Sequence, residues 1–364
     1  MHRRAVEQEP GPIDSPTLMA SGGRRVIVTG ARGALGRHVA DRLQAAQSID
    51  EVIGLDRTAG EHVHRIDLLT EDIDTLLTAQ DTIVHLAASS TGAAGEADAA
   101  ASDRELAERI LNAAKEAQVR HVVLVSTAMV YGAWLENPMP LTESAEVRPN
   151  PEFRYGVVRG EIEALGEAWA AETDSILTIL RPATTLARGR QNGLALMLRN
   201  SAAFRNVDGE APLQFLHAED FAGAVETVVV GKHAGIFNVA PDGWLRPSEV
   251  SALRGRPDTP VRAPAVVNTA IADARRRFGA ATHPGLTPYL QHPWVVANDK
   301  LKALGWKPDF SNEEAYVSGH SPSRLDGLTA KRRQELALGA AGAVLSAGVI
   351  GTAAITSWVI RRRR

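Results

Sequence analysis

The chain has 364 residues, no cysteine, 44% hydrophobic residues and a formal net charge of −3 at pH 7. That apolar content is enough for a large packed core, so it excludes a disordered chain. The lack of cysteine excludes disulfides, thiol catalysis and thiolate metal sites, and the near-neutral charge without a basic stripe argues against a nucleic-acid partner.

Residues 1–22 are expected to form a flexible leader. Pro10, Pro12 and Pro16 lie among scattered charges there, without an apolar run. A basic pair, Arg3-Arg4, is not followed by a hydrophobic stretch, so no signal peptide is predicted.

Residues 24–36 predict a nucleotide-binding turn, because a short apolar strand is followed by three glycines and an amphipathic helix. Gly30 lets the chain turn off the strand, and Gly33 lets backbone N–H groups approach a pyrophosphate. Gly36 lets the helix pack against the strand. The helix, expected over Ala34–Ala45, points its positive end at the phosphates. A glycine-rich turn can also be only a turn, and the next acidic residue favours the cofactor interpretation.

That acidic residue is Asp56, which closes the next predicted strand, Glu51–Asp56, and lies 20 residues after Gly36. At this spacing a carboxylate accepts hydrogen bonds from the adenosine ribose. Its charge would repel a 2′-phosphate, so NAD is the expected cofactor. Two cations nearby, Arg32 and Arg57, keep NADP open as the alternative.

The chain continues with alternating strands and helices. The predicted strands are Val63–Ile66, Thr82–Leu86, Val122–Ser126 and Ile176–Leu180, and the predicted helices include Asp103–Ala117 and Pro151–Ala171. This alternation is typical of an α/β fold with a doubly wound parallel sheet. We assign residues 23–182 to a dinucleotide-binding core. After Pro182 the pattern becomes irregular, so residues 183–325 are assigned to a smaller C-terminal substrate lobe with returning core elements.

Three side chains could carry out chemistry. Thr127 follows a strand at its carboxyl end, where ligands bind in open α/β sheets. Tyr155 and Arg159 are four residues apart and share one helix face. A cation beside a phenol stabilises its deprotonated form, which makes the phenol a usable proton donor or acceptor. Tyr131 is either a core aromatic residue or part of a substrate pocket wall.

These segments together resemble the extended short-chain dehydrogenase/reductases of the NAD-dependent epimerase/dehydratase type. The resemblance runs from Arg25 to Phe310 and includes the glycine loop, Asp67-Leu68, the strand end at His85–Ala88 and the Leu180-Arg181-Pro182 run. It implies a Rossmann fold, with Thr127, Tyr155 and Arg159 as the catalytic residues. The predicted cofactor-binding residues are Gly30, Arg32, Gly33, Ala34, Leu35, Gly36, Asp56, Arg57, Asp67, Leu68, Leu86, Ala87, Ala88, Tyr155, Arg159 and Pro182.

Two positions depart from the family pattern. The lysine four residues after the tyrosine is Arg159 here; it keeps the charge but has a rigid fork of donors and cannot relay a proton. Leu213 stands where nucleotide-sugar enzymes commonly place an arginine for the substrate diphosphate, and Arg199 or Arg205 could substitute for it. Arg159 therefore predicts slow, altered or absent catalysis, and Leu213 argues against a nucleotide-sugar substrate.

Some polar residues are expected to have structural roles. His217 and Asp220 lie near a helix start, where such side chains usually cap the helix or orient a loop. His62 and His64 alternate along a strand without a third ligand nearby in sequence, so no metal site is predicted.

The C-terminal region carries a predicted transmembrane helix, Leu336–Ile360. This segment contains no charged residue and lies between a basic linker, 326–335, and a basic tail, 361–364. A helix of this length spans roughly 37 Å, more than a hydrocarbon core of about 30 Å. A buried soluble helix or a partly inserted helix is the alternative. Small residues along the segment would let two copies approach closely, which leaves a homodimer open.

Our leading functional hypothesis is a membrane-anchored NAD-dependent oxidoreductase or epimerase. Its small-molecule substrate would carry a hydroxyl or ketone on a sugar-like or lipid-linked compound, and its body would lie in the cytoplasm. The alternative is a cofactor-binding scaffold or redox sensor that has lost efficient catalysis.

Overall fold

The structure, a computed structural model, describes residues 24–88, 96–187, 195, 198, 211–253 and 284–319. Its strands are β1 Arg25–Thr29, β2 Glu51–Asp56, β3 Val63–Arg65, β4 Thr82–His85, β5 His121–Val125, β6 Ile176–Pro182, β7 Thr184–Leu186, β8 Phe215–His217 and β9 Gly235–Val239. Its α-helices are α1 Gly36–Ala45, α2 Glu96–Glu116, α3 Arg154–Thr173, α4 Ala218–Gly231, α5 Pro247–Leu253, α6 Thr287–Gln291, α7 Asp299–Lys302 and α8 Asn312–Ser318.

Seven strands form one parallel sheet in the order β3-β2-β1-β4-β5-β6-β9. The order reverses between β1 and β4, because β2 and β3 extend to one side and the later strands to the other. In open α/β sheets a ligand binds at the carboxyl ends of the strands next to this reversal. The fold therefore places a crevice where β1 and β4 end.

The two faces of the sheet carry separate apolar clusters. Val26 and Val28 belong to the cluster that contains residues of α1 and α4, whereas Ile27 belongs to the cluster that contains residues of α2 and α3. Alternate residues of β1 thus face opposite helix layers, as the pleat requires. Burial on both faces explains why these strands are almost continuously apolar. The predicted doubly wound α/β class is confirmed.

Most predicted elements are present, with shifted ends. Helix α1 begins at Gly36 instead of Ala34, because Leu35 is the N-cap. Helix α2 begins at Glu96, well before the predicted Asp103, and α3 begins at Arg154 instead of Pro151. The predicted strand ends at Ile66, Leu86 and Ser126 are each one residue too long, while β6 continues to Pro182.

A second, small sheet lies after Pro182. Strands β7 and β8 pair in parallel, and a third apolar cluster that includes Leu186, Phe215 and Tyr316 surrounds them. Strand β9 then returns to the main sheet beside β6. Strands β7 and β8 were not predicted, since strands of three residues leave little pattern in the sequence.

The predicted leader, basic linker, transmembrane helix and basic tail lie outside the described residues. Among the residues that are described, no helix is long and apolar enough to cross a bilayer.

Candidate functional site

The glycine turn between β1 and α1 has no room for side chains at two of its glycines. Gly30 has a φ of +71°, and a Cβ there would lie 2.8 Å from the Ala87 Cα. A Cβ on Gly36 would collide with the Gly30 carbonyl oxygen. Gly33 closes the turn by donating its N–H to that same oxygen at 2.9 Å. The turn is therefore tight and lacks side chains at these positions, which is the geometry that lets backbone N–H groups approach a pyrophosphate.

Residues Arg32 to Leu35 are partly exposed at the tip of this turn, and Asp56 lies beside them. One Asp56 carboxylate oxygen accepts the Arg32 backbone N–H and the other accepts the Thr58 N–H, each at 3.0 Å. Arg57 is exposed next to it. The carboxylate is therefore fixed at the carboxyl end of β2, the strand that neighbours β1.

The Arg32 side chain extends over the connection between β2 and β3. A Cβ on Gly60 would lie 3.1 Å from the Arg32 Nη1. The Arg32 side chain therefore lies against the loop that follows Asp56, and the NADP alternative stays open.

The strand end at Leu86, Ala87 and Ala88 is attached to β1 through a threonine. Thr29 Oγ1 accepts the N–H groups of Leu86 and Ala87, each at 3.2 Å, and lies 2.8 Å from His85 Nδ1. Because the hydroxyl accepts two backbone bonds, it donates its own proton to Nδ1, and the His85 ring carries its proton on Nε2. Burial, followed by the charge of Arg159, lowers the pKa of His85 to about 3.

Asp67 and Leu68 shape the loop that follows β3, at the same edge of the sheet as Asp56. Asp67 Oδ1 accepts the Leu69 N–H at 3.1 Å, and the Leu68 carbonyl accepts Arg109 Nε at 2.8 Å. Leu68 is buried and Asp67 is partly exposed. Their predicted contact with a cofactor stays a prediction, and so does that of Pro182, which is buried at the end of β6.

The structure brings Thr127 and Tyr155 to the carboxyl end of β5. Thr127 caps a 3₁₀ turn, Ala128–Tyr131, by accepting the Met129 N–H at 3.3 Å. Half-buried Tyr155 lies in the first turn of α3. That turn packs on the 3₁₀ segment, since a Cβ on Gly156 would lie 3.2 Å from the Met129 carbonyl oxygen. Both residues thus lie at one edge of the sheet.

Arg159 lies beside Tyr155, as predicted, but its guanidinium is already engaged. Its Cζ is 5.2 Å from the centroid of the Tyr155 ring. Its Nη2 donates to Asp103 Oδ2 at 3.0 Å, and both side chains are less than 10% exposed. Nη1 lies 3.5 Å from the Val125 carbonyl oxygen. Sequence reasoning missed Asp103, because it lies 56 residues away on another helix.

Tyr131 is a buried, hydrogen-bonded core residue. Its hydroxyl donates to Asn238 Oδ1 and accepts Arg181 Nη1, each at 2.8 Å. Arg181 in turn forms a forked ion pair with Glu163 of α3. Burial raises the pKa of Tyr131 above its usual value, although Arg181 opposes this. Tyr131 is therefore a core aromatic residue, as one of its two interpretations predicted.

His217 and Asp220 have the structural roles predicted for them. His217 Nδ1 accepts the Glu219 N–H at 3.2 Å and so caps α4. The Asp220 carboxylate accepts the N–H groups of Asp309 and Phe310, at 2.8 and 3.2 Å. Burial raises the pKa of Asp220, against the opposing effect of those two hydrogen bonds.

Leu213 is buried and forms a backbone bridge with Leu245. The arginines that could replace its missing charge, Arg199 and Arg205, lie outside the described residues.

Comparisons with known proteins agree with this geometry. The model of the NAD dependent epimerase/dehydratase family matches residues 26–240. Two uncharacterized proteins, one from Mycobacterium bovis and one from Mycobacterium tuberculosis, are each 30% identical over 316 residues, which cover 80% of this chain and 82% of theirs.

Three solved structures share the fold. The UDP-N-acetylglucosamine 4-epimerase from Bacillus cereus has a TM-score of 0.58 at 22% identity, covering 82% of this chain and 98% of its own. The Thermus thermophilus UDP-glucose 4-epimerase in complex with NAD has a TM-score of 0.61 at 20% identity, and the match covers 81% of this chain and 97% of its own. A dTDP-glucose 4,6-dehydratase from Streptomyces venezuelae with NAD bound has a TM-score of 0.61 at 22% identity, and the match covers 80% of this chain and 94% of its own. The chain belongs to the NAD dependent epimerase/dehydratase family and is an NAD-dependent enzyme of the epimerase/dehydratase type.

Proposed function

We propose that this protein moves a hydride between bound NAD and a hydroxyl-bearing carbon of a nucleotide sugar or a related sugar-like compound. The observation that carries the proposal is the position of Thr127 and Tyr155 at the same edge of the parallel sheet as the glycine turn. The solved structures named above are enzymes of nucleotide sugars, which supports this substrate class.

The residues fit the adenosine end of NAD. A Cβ at Gly30 would meet the Ala87 backbone and one at Gly36 would meet the Gly30 carbonyl oxygen, so only glycines allow the tight turn that a diphosphate-binding backbone needs. Asp56 is held by two backbone N–H groups with lone pairs left for ribose hydroxyls. The nicotinamide of bound NAD supplies the hydride acceptor or donor.

Each catalytic side chain has a separate task in this proposal. Thr127 donates a hydrogen bond to the reacting oxygen of the substrate and so orients it. Tyr155 removes the hydroxyl proton as the carbonyl forms, and it returns the proton in the reverse direction. The positive charge of Arg159, 5.2 Å from the ring, stabilises the deprotonated phenol during this transfer.

A second candidate function is a cofactor-loaded scaffold or redox sensor. The ion pair between Arg159 and Asp103 favours it, because this guanidinium has a protein partner at the place where the family lysine usually serves the cofactor and the tyrosine. An arginine held in this way cannot relay a proton.

A substrate panel separates the two functions. The unmodified protein, Tyr155→Phe and Arg159→Lys are each loaded with NAD and incubated with nucleotide sugars, simple sugars, alcohols and ketones, and the products are analysed. Turnover that Tyr155→Phe abolishes supports the enzyme. Equal behaviour of all three forms supports the scaffold. Tyr316→Phe, which changes a buried tyrosine of the third apolar cluster, serves as the matched control and should keep full turnover.

We further propose that Leu336–Ile360 anchors the protein in a membrane, with the body on the cytoplasmic side near a lipid-linked or amphipathic substrate. The support is the uncharged sequence of this segment between two basic clusters. The full chain should enter the membrane fraction and require detergent, whereas a chain truncated after Arg333 should not. A full chain that stays in the aqueous fraction would contradict the anchor.

A further inference from the structure

The ion pair between Arg159 and Asp103 holds the cation that lies against the Tyr155 ring. It joins α3 to α2 beneath the carboxyl end of the sheet, and both side chains are almost completely buried, 7% and 9% exposed. A buried pair of this kind needs good geometry to offset the cost of removing two charges from water. It is therefore strongly localised, unlike the exposed ion pairs of the same helices.

The position of the guanidinium depends mainly on Asp103. Within the described part of the chain, its other contacts are the Val125 carbonyl oxygen at 3.5 Å and the face of Tyr155. Its Nε is buried and has no hydrogen-bond partner among the described residues. Asp103 thus supplies the strongest attachment that keeps this charge beside the phenol.

Among the described residues, titratable groups on three elements interact with Arg159. Asp103 faces it from α2, Tyr155 from its own helix and His85 from the end of β4. Because burial and Arg159 lower the pKa of His85 to about 3, this ring is neutral near pH 7 and adds no charge. Asp103 is then the group that offsets the Arg159 charge as seen from Tyr155.

We propose that Asp103 is a positioning residue for the reaction at Tyr155: its carboxylate holds the Arg159 guanidinium in place and sets how much positive charge faces the phenol. This inference rests on the proposed function. It also accounts for arginine at the position of the family lysine, since the longer, forked side chain reaches a carboxylate on the neighbouring helix.

The test is a titration of Tyr155 in the full chain with bound NAD. Tyrosinate absorbance is followed against pH, and the difference between each protein and its Tyr155→Phe form isolates this residue. Asp103→Asn keeps an oxygen that can accept the Arg159 Nη2 hydrogen bond but removes the negative charge. The ionisation midpoint of Tyr155 should therefore fall by roughly one pH unit, the size expected for one charge within a few ångströms. The pH profile of kcat should move in the same direction, with little change in KM.

A matched control lies on the same helix. Glu108→Gln removes a carboxylate that pairs with the exposed Arg104, and it should leave the midpoint where it is. If Asp103→Asn does not fold, Asp103→Ser is the second neutral variant, and its smaller side chain leaves room for a water molecule beside Arg159. It should lower the midpoint as well.

An unchanged midpoint in a folded neutral variant would overturn the proposal and reduce Asp103 to a stabilising residue. The outcome is separable from the proposed function. Turnover that depends on Tyr155, combined with an unchanged midpoint, rejects only the role of Asp103. A lowered midpoint in a protein that turns over no member of the panel rejects only the enzymatic function.

Discussion

The backbone N–H of Arg32 donates a 3.0 Å hydrogen bond to the Asp56 carboxylate, which joins the glycine turn to the end of β2. The second carboxylate oxygen accepts the Thr58 N–H at the same distance. Two backbone donors thus orient the carboxylate before any cofactor binds, so little ordering is required when ribose hydroxyls replace water.

The first prediction concerns this carboxylate. Asp56→Ala should weaken NAD binding by roughly 1–3 kcal/mol, because charge-assisted hydrogen bonds to the ribose are lost. NADP binding should weaken far less, since its 2′-phosphate makes no such bond. Calorimetric titration of both nucleotides measures the two effects. Asp50→Ala removes a carboxylate at the opposite edge of the sheet and is the control. Tighter binding of NADP than of NAD by the unmodified protein would refute the cofactor assignment and point to Arg32 or Arg57.

The second prediction concerns the glycine turn. Gly30→Ala places a Cβ 2.8 Å from the Ala87 backbone at a φ of +71°, so it should destabilise the fold and abolish NAD binding. Gly223→Ala is the matched change within α4, where the Cβ would lie 3.7 Å from the Trp306 side chain. It should be neutral or stabilising by about 0.5–1 kcal/mol, the helix preference for alanine over glycine. Thermal unfolding measures the stability of both variants, and titration with NAD measures their affinity. Equal effects of the two substitutions would contradict the packing argument.

The third prediction concerns the buried pair Glu163 and Arg181. Glu163→Leu leaves the Arg181 charge buried without its partner, which should lower the free energy of unfolding by about 3–5 kcal/mol. Glu172→Leu on the same helix removes only an exposed partner of Lys115 and should cost about 1 kcal/mol or less. Unfolding in urea measures the free energy of unfolding of the two variants and of the unmodified protein. A loss no larger for Glu163→Leu than for Glu172→Leu would show that the network does not stabilise the fold.

The fourth prediction concerns pH. Burial, then the charges of Lys232, Arg24 and His233, lowers the pKa of His121 from 6.5 to about 4 in the folded protein. Between these values the unfolded chain binds the proton and the folded chain does not, so stability decreases as the pH falls through this range. The contribution approaches roughly 1.4 kcal/mol per pH unit.

His121→Gln keeps a donor for Thr178 and removes this titration. The pH dependence of the unfolding free energy should therefore become shallower by one proton. His64→Gln makes the same substitution at an exposed position and controls for the change of residue type. An identical slope in the unmodified protein and His121→Gln would refute the burial argument.

The main sheet and the cofactor turn could be predicted because their signals are local. Strands β1 and β2 read as short apolar runs, and Gly30, Gly36 and Asp56 are tied to those strands by fixed spacing. The predicted helix ends were less accurate. Before Asp103, for example, a run of alanine and charged residues gives no clear signal for the start of α2.

The partners of the site residues could not be predicted in the same way. Asp103 meets Arg159 only because α2 and α3 pack side by side, and Glu163 meets Arg181 only because α3 covers β6. No spacing within one element encodes such a contact.

In the proposed reaction, hydride passes from a substrate carbon to NAD while Tyr155 removes the hydroxyl proton. The most direct measurement is a single-turnover mixing experiment in which protein loaded with NAD meets each nucleotide sugar of the panel and the ultraviolet absorbance of NADH is followed. We predict that at least one sugar reduces the bound NAD in the unmodified protein, at a rate that falls by about 10²-fold or more in Tyr155→Phe, the usual size of an acid–base contribution. Bound NAD that stays oxidised with every sugar, or equal rates in the two proteins, would contradict the account.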